Sequence, residues 1–189
     1  MPPPLTPEDW IKAAFRRLGQ GGIDSVRAEA LARDLGVSKG SFYWHFRDLP
    51  DLKTRMLAHW QDQATARILS MATAGGGDAA AQLRRLLALA TSDLADPYGG
   101  LSTEAAIRDW ARRDPQAAEV QARVDDARLT FVTGLFRALP QPADAAARAA
   151  RLVLMAYTGA VHLQVPDRAR LAGDLHALLA GLLSPPDPR

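Results

Sequence analysis

Leu31-Ala32-Arg33-Asp34-Leu35-Gly36-Val37-Ser38-Lys39-Gly40-Ser41-Phe42-Tyr43-Trp44-His45-Phe46 is the stretch that decides the fold. Upstream of Gly36, residues Val26 to Leu35 place Ala28, Leu31, Ala32 and Leu35 at helical spacing, which predicts a short amphipathic helix. Gly36 ends it, because glycine takes a positive φ cheaply, and Ser38 is placed to cap the helix that follows, SKGSFYWHF. Two short helices joined by so tight a turn make a helix-turn-helix, in which the second helix can enter a DNA major groove while the first crosses the backbone.

Geometry then selects the contacting side chains. Lys39, Gly40, Tyr43 and Trp44 are neighbours on one helical surface, whereas Val37, Phe42 and Phe46 are apolar and anchor the helix from behind. Gly40 contributes by having no side chain, so that the backbone can come close to bases or phosphates. Lys39 can donate to a guanine edge or a phosphate, Ser41 and the Tyr43 hydroxyl can donate to phosphate, and His45 can join them. With Arg27 as a second candidate base reader and Ser38 opening the exposed segment, the expected DNA-contact set is Arg27, Ser38, Lys39, Gly40, Ser41, Tyr43, Trp44 and His45. Read alone, an adjacent Tyr-Trp pair is more often core packing, a reading that the surrounding helix-turn-helix signature reverses; Arg27 alone is more often a solvated side chain and stays a candidate only.

Working outward, Thr6-Pro7-Glu8-Asp9 starts a helix that runs to about Leu18, with Trp10, Ala14 and Leu18 as its buried stripe. From Pro50 to about Thr73 the pattern reads as one long helix, with Leu52, Met56, Leu57, Trp60, Ala64, Ile68 and Met71 at helical intervals. Gly75, Gly76 and Gly77 read as a flexible joint, since no Gly-Lys-Ser/Thr follows to make a phosphate loop. Further helices are expected at Asp78 to Leu94, Ser102 to Arg113, Pro115 to Leu139, Ala143 to Val165 and Asp167 to Leu183. Asp96 to Gly100, Asp114-Pro115, Pro140 to Pro142 and Pro166-Asp167 punctuate them. The fold class is therefore all-α, about nine helices, with a three-helix DNA-binding domain at residues 1–49 and a helical effector-binding and dimerisation domain at 50–189.

The totals agree. The 189 residues are 48% apolar, enough for a real core, and the formal charge is only +2. That excess lies wholly in residues 1–60, which hold nine Lys or Arg against seven Asp or Glu; Leu35 to Arg47 contains Lys39 and Arg47 and no carboxylate. The absence of cysteine excludes disulfides and cysteine-ligated metal sites. The N-terminus has neither the basic lead nor the apolar run of a signal peptide, and no segment is apolar enough to span a bilayer, so a soluble cytoplasmic protein is expected. His59 and Asp62 lie one turn apart but lack the further ligands a metal needs, and no cofactor is expected. No nucleophile elbow, zinc-protease pair, Walker loop or dinucleotide fingerprint occurs, so an enzyme is not expected. The competing reading is a helical protein-interaction module that does not bind DNA.

The run from Leu31 through Phe46, with Leu52 beyond it, closely resembles the helix-turn-helix signature of the tetracycline-repressor (TetR/AcrR) family, above all in its "YWHF" ending and flanking Gly-Val-Ser. The resemblance is tight over about residues 5 to 57 and beyond that rests on helix number and length. It implies a cytoplasmic homodimer, usually a repressor, whose larger C-terminal part binds a small molecule and loosens a near-palindromic operator complex. The family's DNA contacts map onto Lys39, Gly40, Ser41, Tyr43, Trp44 and His45. Two positions depart from the pattern: Arg27-Ala28-Glu29 stands where the family often has threonines and a basic residue, and Leu49 where it often has a phosphate-touching lysine.

For the body, Met56, Trp60, Trp110, Phe131, Phe136, Tyr157 and His162 are candidates to line an effector cavity, Trp110 foremost because the resemblance places a helix before a long central one there. Such a lining suits an apolar or aromatic effector. The last two helices offer Leu152, Met155, Ala156, Gly159 and Leu163, then Leu171, Leu175, Leu178, Leu179 and Leu182. In TetR-like proteins the matching pair forms a four-helix bundle across a two-fold axis, which implies an isologous dimer interface here.

Overall fold

A computed structural model of the protein describes residues 5–92, 97–98, 100–163 and 167–184. Its helices are α1 (Pro7–Gly21), α2 (Ala28–Asp34), α3 (Lys39–Tyr43), α4 (Leu49–Gln61), α5 (Arg67–Ala74), α6 (Ala79–Ala90), α7 (Gly100–Ala111), α8 (Pro115–Arg137), α9 (Ala143–His162) and α10 (Arg168–Leu183). A 3-10 turn, Ile23–Ser25, follows α1, and a π segment, Asp62–Ala66, joins α4 to α5. The all-α expectation holds, and among the described residues no helix is long and apolar enough to cross a membrane. The expected helix ends at Leu94 and Val165, and the punctuation at Asp96, Gly99 and Pro166, lie outside the described residues. The chain divides into two compact units, residues 1–62 with 93–122 and residues 63–92 with 123–189.

In the first unit α1 starts as its sequence predicts and runs past the expected end at Leu18 to Gly21, with Gly22 as its cap. Thr6 and Asp9 form a reciprocal capping box: the Thr6 amide donates to Asp9 Oδ2 at 2.8 Å and the Asp9 amide to Thr6 Oγ1 at 3.3 Å. Trp10, Ala14, Phe15 and Leu18 are buried, with Leu31 and Ala32 of α2, Phe42 of α3 and Leu52, Met56 and Leu57 of α4. Arg17 on α1 grips Asp34 at the end of α2 bidentately, at 2.6 and 2.7 Å, and thereby fixes where α2 stops. Behind α1 lies α7, whose Thr103 hydroxyl donates to the carbonyls of Tyr98, at 2.6 Å, and of Phe15, at 3.4 Å.

The turn between α2 and α3 is a Schellman motif. The Val37 amide reaches back to the Ala32 carbonyl at 2.9 Å and the Gly36 amide to that of Arg33 at 3.2 Å, with Gly36 at φ 67°. A side chain at that φ costs free energy, so the angle between the two helices depends on this glycine.

In the second unit α10 packs on α6 and α9, and α5 packs on α6. Leu83, Leu87, Val132, Phe136, Ala149, Ala150, Val153, Leu171, Leu175 and Leu179 are among its buried side chains. The triglycine is not the free joint its composition suggests. Arg85 on α6 donates to the carbonyls of Ala72 at 2.6 Å, Gly76 at 3.1 Å and Gly75 at 3.3 Å, satisfying groups that the end of α5 leaves without helical partners.

Two further elements differ from expectation. The single helix expected from Pro50 to Thr73 is broken by the π segment. Buried positions fall at Met56 and Trp60, four apart, and then at Thr65, five apart, and a turn widened by one residue absorbs that change of spacing. Helix α3 ends at Tyr43 rather than Phe46, because Trp44 turns into a cap whose following amides, of His45 and Phe46, both bond the Phe42 carbonyl at 3.0 Å.

Replacing Gly36 by Ala is expected to destabilise the protein by about 1 kcal/mol, read from the urea midpoint, because alanine pays the left-handed backbone cost. His59 generates a pH prediction. Its ring lies 5.0 Å from Tyr98 and 6.2 Å from Phe15, its Nε2 is buried without a hydrogen-bond partner, and burial lowers its pKa against the smaller opposing pull of Glu8 and Asp62. The unfolded chain therefore takes up this proton before the folded one does. Stability contributed by the neutral ring is complete above the ordinary value of 6.5 and falls as pH drops below it. Melting from pH 8 to pH 5 should show this decline, and His59→Leu should flatten it; Glu8, whose pKa is lowered by Lys12 and Tyr98, acts only below the ordinary 4.5.

Candidate nucleic-acid interface

Five residues are too few to hold a helix in water, so α3 exists because it is packed. Phe42 is completely buried, edge-on to Trp10 at 5.5 Å and stacked on Phe46 at 5.3 Å. With Phe42 pointing inward, the next two positions must point elsewhere. Tyr43 is 55% exposed and Trp44 88%, the most exposed of the large hydrophobic side chains described. Trp44 differs in this from Trp10, Trp60 and Trp110, all buried. Folding gains nothing by holding an indole in water, so the exposed pair is the candidate contact surface of this face.

The other expected contact residues gather around this pair. Lys39 is exposed at the first position of α3, and Gly40 beside it has open space, a hypothetical Cβ meeting only Ser38 Oγ at 3.7 Å. Ser38 occupies the cap position, yet its hydroxyl makes no capping bond; Ser41 and His45 are half-buried, the His45 ring 6.3 Å from Trp10. Arg27 is the cap residue of α2, and its Nε donates to the Asp24 carbonyl at 3.0 Å, so its charge is positioned without being neutralised.

Asp51 and Arg55 at this face escaped the sequence reading, as did a third feature, the partner of Glu29. Tyr43, Trp44, His45, Phe46, Arg47, Asp51 and Arg55 line an open groove at the end of α3. Asp51 organises it: its carboxylate accepts from the Arg47 amide at 3.0 Å and from Arg55 at 3.1 and 3.2 Å, which sets the Arg55 guanidinium 5.2 Å over the Phe46 ring. These bonds hold the Asp51 carboxyl below its ordinary pKa. The i, i+4 spacing of Asp51 and Arg55 was a usable signal for this pair. Glu29 is ion-paired with Lys39, ten residues away across the turn, and no local spacing announces that pair.

The expected effector-lining residues fall in both units. Met56, Trp60 and Trp110 are buried in the first, where Trp110 hydrogen-bonds the Asp114 carboxylate that also caps α8 through the Ala117 amide at 3.0 Å. Phe131, Phe136, Tyr157 and His162 belong to the second; Phe136 is buried, Phe131 and Tyr157 are half-buried, and His162 is exposed with its Nδ1 3.0 Å from the Thr158 carbonyl. Of the expected dimer residues, Leu152 and Met155 of α9 and its cap residue Leu163 are exposed, at 39, 60 and 79%. Ala156, Gly159, Leu178 and Leu182 are half-buried, whereas Leu171, Leu175 and Leu179 are buried within their own unit.

Residues 11–49 match the family model for bacterial regulatory proteins of the tetR family. Over 52 residues the chain is 40% identical to the HTH-type transcriptional repressor Rv1353c of Mycobacterium tuberculosis, a match covering 28% of this chain and 20% of that one. Such matches span about a quarter or less of the length of the curated relatives. The fold is similar to that of SCO4454, a TetR-family transcriptional regulator from Streptomyces coelicolor, at TM-score 0.75 and 20% identity over 93% of this chain and 87% of that one. It is equally similar to a Saccharomonospora viridis protein crystallised in complex with choline, at TM-score 0.75 and 18% identity over 92% and 95%. Residues 11–49 thus match the head of the tetR family of bacterial regulatory proteins, and the chain shares its all-helical fold with the solved structures.

Proposed function

We propose that the protein is a DNA-binding transcriptional regulator, a cytoplasmic homodimeric repressor released from a near-palindromic operator by a small, apolar or aromatic effector. The observation that carries DNA binding is the exposed Tyr43-Trp44 pair, held out by the buried Phe42 beside Lys39 and the open Gly40. On this reading Arg27, Ser38, Lys39, Gly40, Ser41, Tyr43, Trp44 and His45 contact operator DNA, with Arg47 and Arg55 supplying phosphate contacts from the neighbouring groove. Residues 1–49 act as the reading head and 50–189 as the effector-binding and dimerising body.

The apolar stripe of Leu152, Met155 and Leu163 supports dimerisation through α9, with Leu178 and Leu182 of α10 beside it. A two-fold dimer sets its two α3 helices in successive major grooves about 34 Å apart, so the half-sites repeat at that spacing. The choline held by the S. viridis protein supports a body of this fold that accommodates small molecules. Release then requires only that the effector prefer the DNA-free state by a few kcal/mol.

The test is operator selection from genomic DNA followed by footprinting. Two protected half-sites about 34 Å apart are expected, and Tyr43→Ala should weaken binding by about 1 to 3 kcal/mol with an unchanged melting curve. Protection of a single half-site by a monomer removes the dimeric reading, and unchanged affinity removes Tyr43 from the contact surface. A bound effector with equal affinity for free and operator-bound protein rules out release.

A further inference from the structure

The exposed face of the helix-turn-helix carries a carboxylate among its cations. Glu29, in the first turn of α2, is ion-paired with Lys39 Nζ at the start of α3, and their side chains are still 58% and 50% open to solvent. A carboxylate on a DNA-facing surface repels phosphate, and pairing it to the lysine also occupies the one lysine that α3 has to offer to phosphate. Non-specific affinity is therefore reduced twice by one residue. What the surface gains is a fixed donor and a fixed acceptor side by side.

We propose that Glu29 and Lys39 act jointly as a reader of one G·C base pair in each half-site, Lys39 donating to guanine and Glu29 accepting from the cytosine amine; this rests on the DNA-binding reading above. The ammonium has three donors, of which Glu29 uses one, leaving two for the guanine N7 and O6 acceptors. The carboxylate has about four acceptor sites, of which its own backbone amide and Lys39 take two, leaving room for the cytosine N4 amine. Across the major groove a G·C pair presents acceptor, acceptor, donor in that order. The side chains present donor, donor, acceptor. An A·T pair sets its amine between two acceptors and adds a methyl group, so the lysine would meet the adenine amine and the carboxylate the thymine O4 or methyl. The order also fixes the orientation, since a reversed pair would bring the guanine N7 acceptor to the carboxylate and the cytosine amine to the lysine. Each ion holds the other charged: the hydrogen bond to Lys39 lowers the Glu29 pKa and that to Glu29 raises the Lys39 pKa.

The experiment is selection from a randomised duplex library with the purified full chain, the Glu29→Gln variant and the Lys39→Met variant, each checked for an unchanged melting curve. The wild type should enrich a motif with an invariant G·C pair in each half-site. Glu29→Gln should relax that position by roughly tenfold or more and leave the others alone, and Lys39→Met should relax the same position. Glu29→Gln should also bind random duplex more tightly, with a log–log salt slope steeper by about one, because the freed lysine reaches phosphate. An unchanged motif with Glu29→Gln, or relaxation of different base pairs by the two variants, overturns the joint reader while leaving DNA binding in place. A wild type that enriches nothing overturns the DNA-binding reading and the reader with it.

Discussion

The burial of Phe42 between Trp10 and Phe46 is the constraint on which the exposed surface depends. Helix α3 is a little over one turn long and cannot persist by its own hydrogen bonds. One aromatic wedge sets its depth and rotation, and the Schellman turn at Gly36 sets its angle to α2. Once those are fixed, Lys39, Gly40, Tyr43 and Trp44 have no choice of direction. The apolar area that stabilises the head thus also orients the side chains proposed to contact DNA, and a change in the core at Trp10 or Phe46 reaches that surface without touching it.

This coupling explains why the head was legible in the sequence. The alternation of inward Phe42 and Phe46 with outward Tyr43 and Trp44 is a local pattern, and local patterns are what periodicity reports. The Thr6-Asp9 box and the Gly36 turn were legible for the same reason, each being a bond or a φ requirement within six residues. Three features were not. The π segment depends on where Trp60 and Thr65 find burial, which no spacing rule for regular helices encodes. The Gly75-Gly76-Gly77 link reads as loose because glycine is permissive, but Arg85, eight residues beyond Gly77, supplies the carbonyl partners that hold it. The end of α3 at Tyr43 rather than Phe46 follows from two amides competing for the one Phe42 carbonyl.

Charge on the head shows the same division between local and non-local information. The stretch from Leu35 to Arg47 has no carboxylate in sequence, and by composition it is an uninterrupted basic patch. In space it has two, Glu29 on Lys39 and Asp51 beneath Arg47 and Arg55. The second serves geometry, drawing the Arg55 guanidinium over Phe46 and fixing the backbone at Arg47. Neither pair contributes much stability, because exposed ion pairs are screened and cost side-chain entropy. They direct the donors of a diffuse positive patch, and on the proposed DNA-binding reading that lowers indiscriminate attraction to phosphate and leaves directional contacts to decide between sequences.

The body obeys a different logic, and there sequence reasoning reached less far. Trp110, foremost among the expected effector contacts, is buried with its polar group committed to Asp114 at the start of α8, so its first duty is to fix a helix end. Leu175 and Leu179 likewise fill their own unit, leaving α9 to carry most of the exposed apolar stripe. Periodicity finds which residues a helix hides; it does not say whether they are hidden by the same chain, by a ligand or by a second copy, since the transfer of apolar area from water is favourable in all three cases. On α9 the distinction becomes visible only in the structure: three large side chains at helical spacing stay in water, although a one-residue rotation of preference in the sequence could have hidden them. That exposed stripe, at helical spacing along a twenty-residue helix, is the observation behind the dimer proposed above.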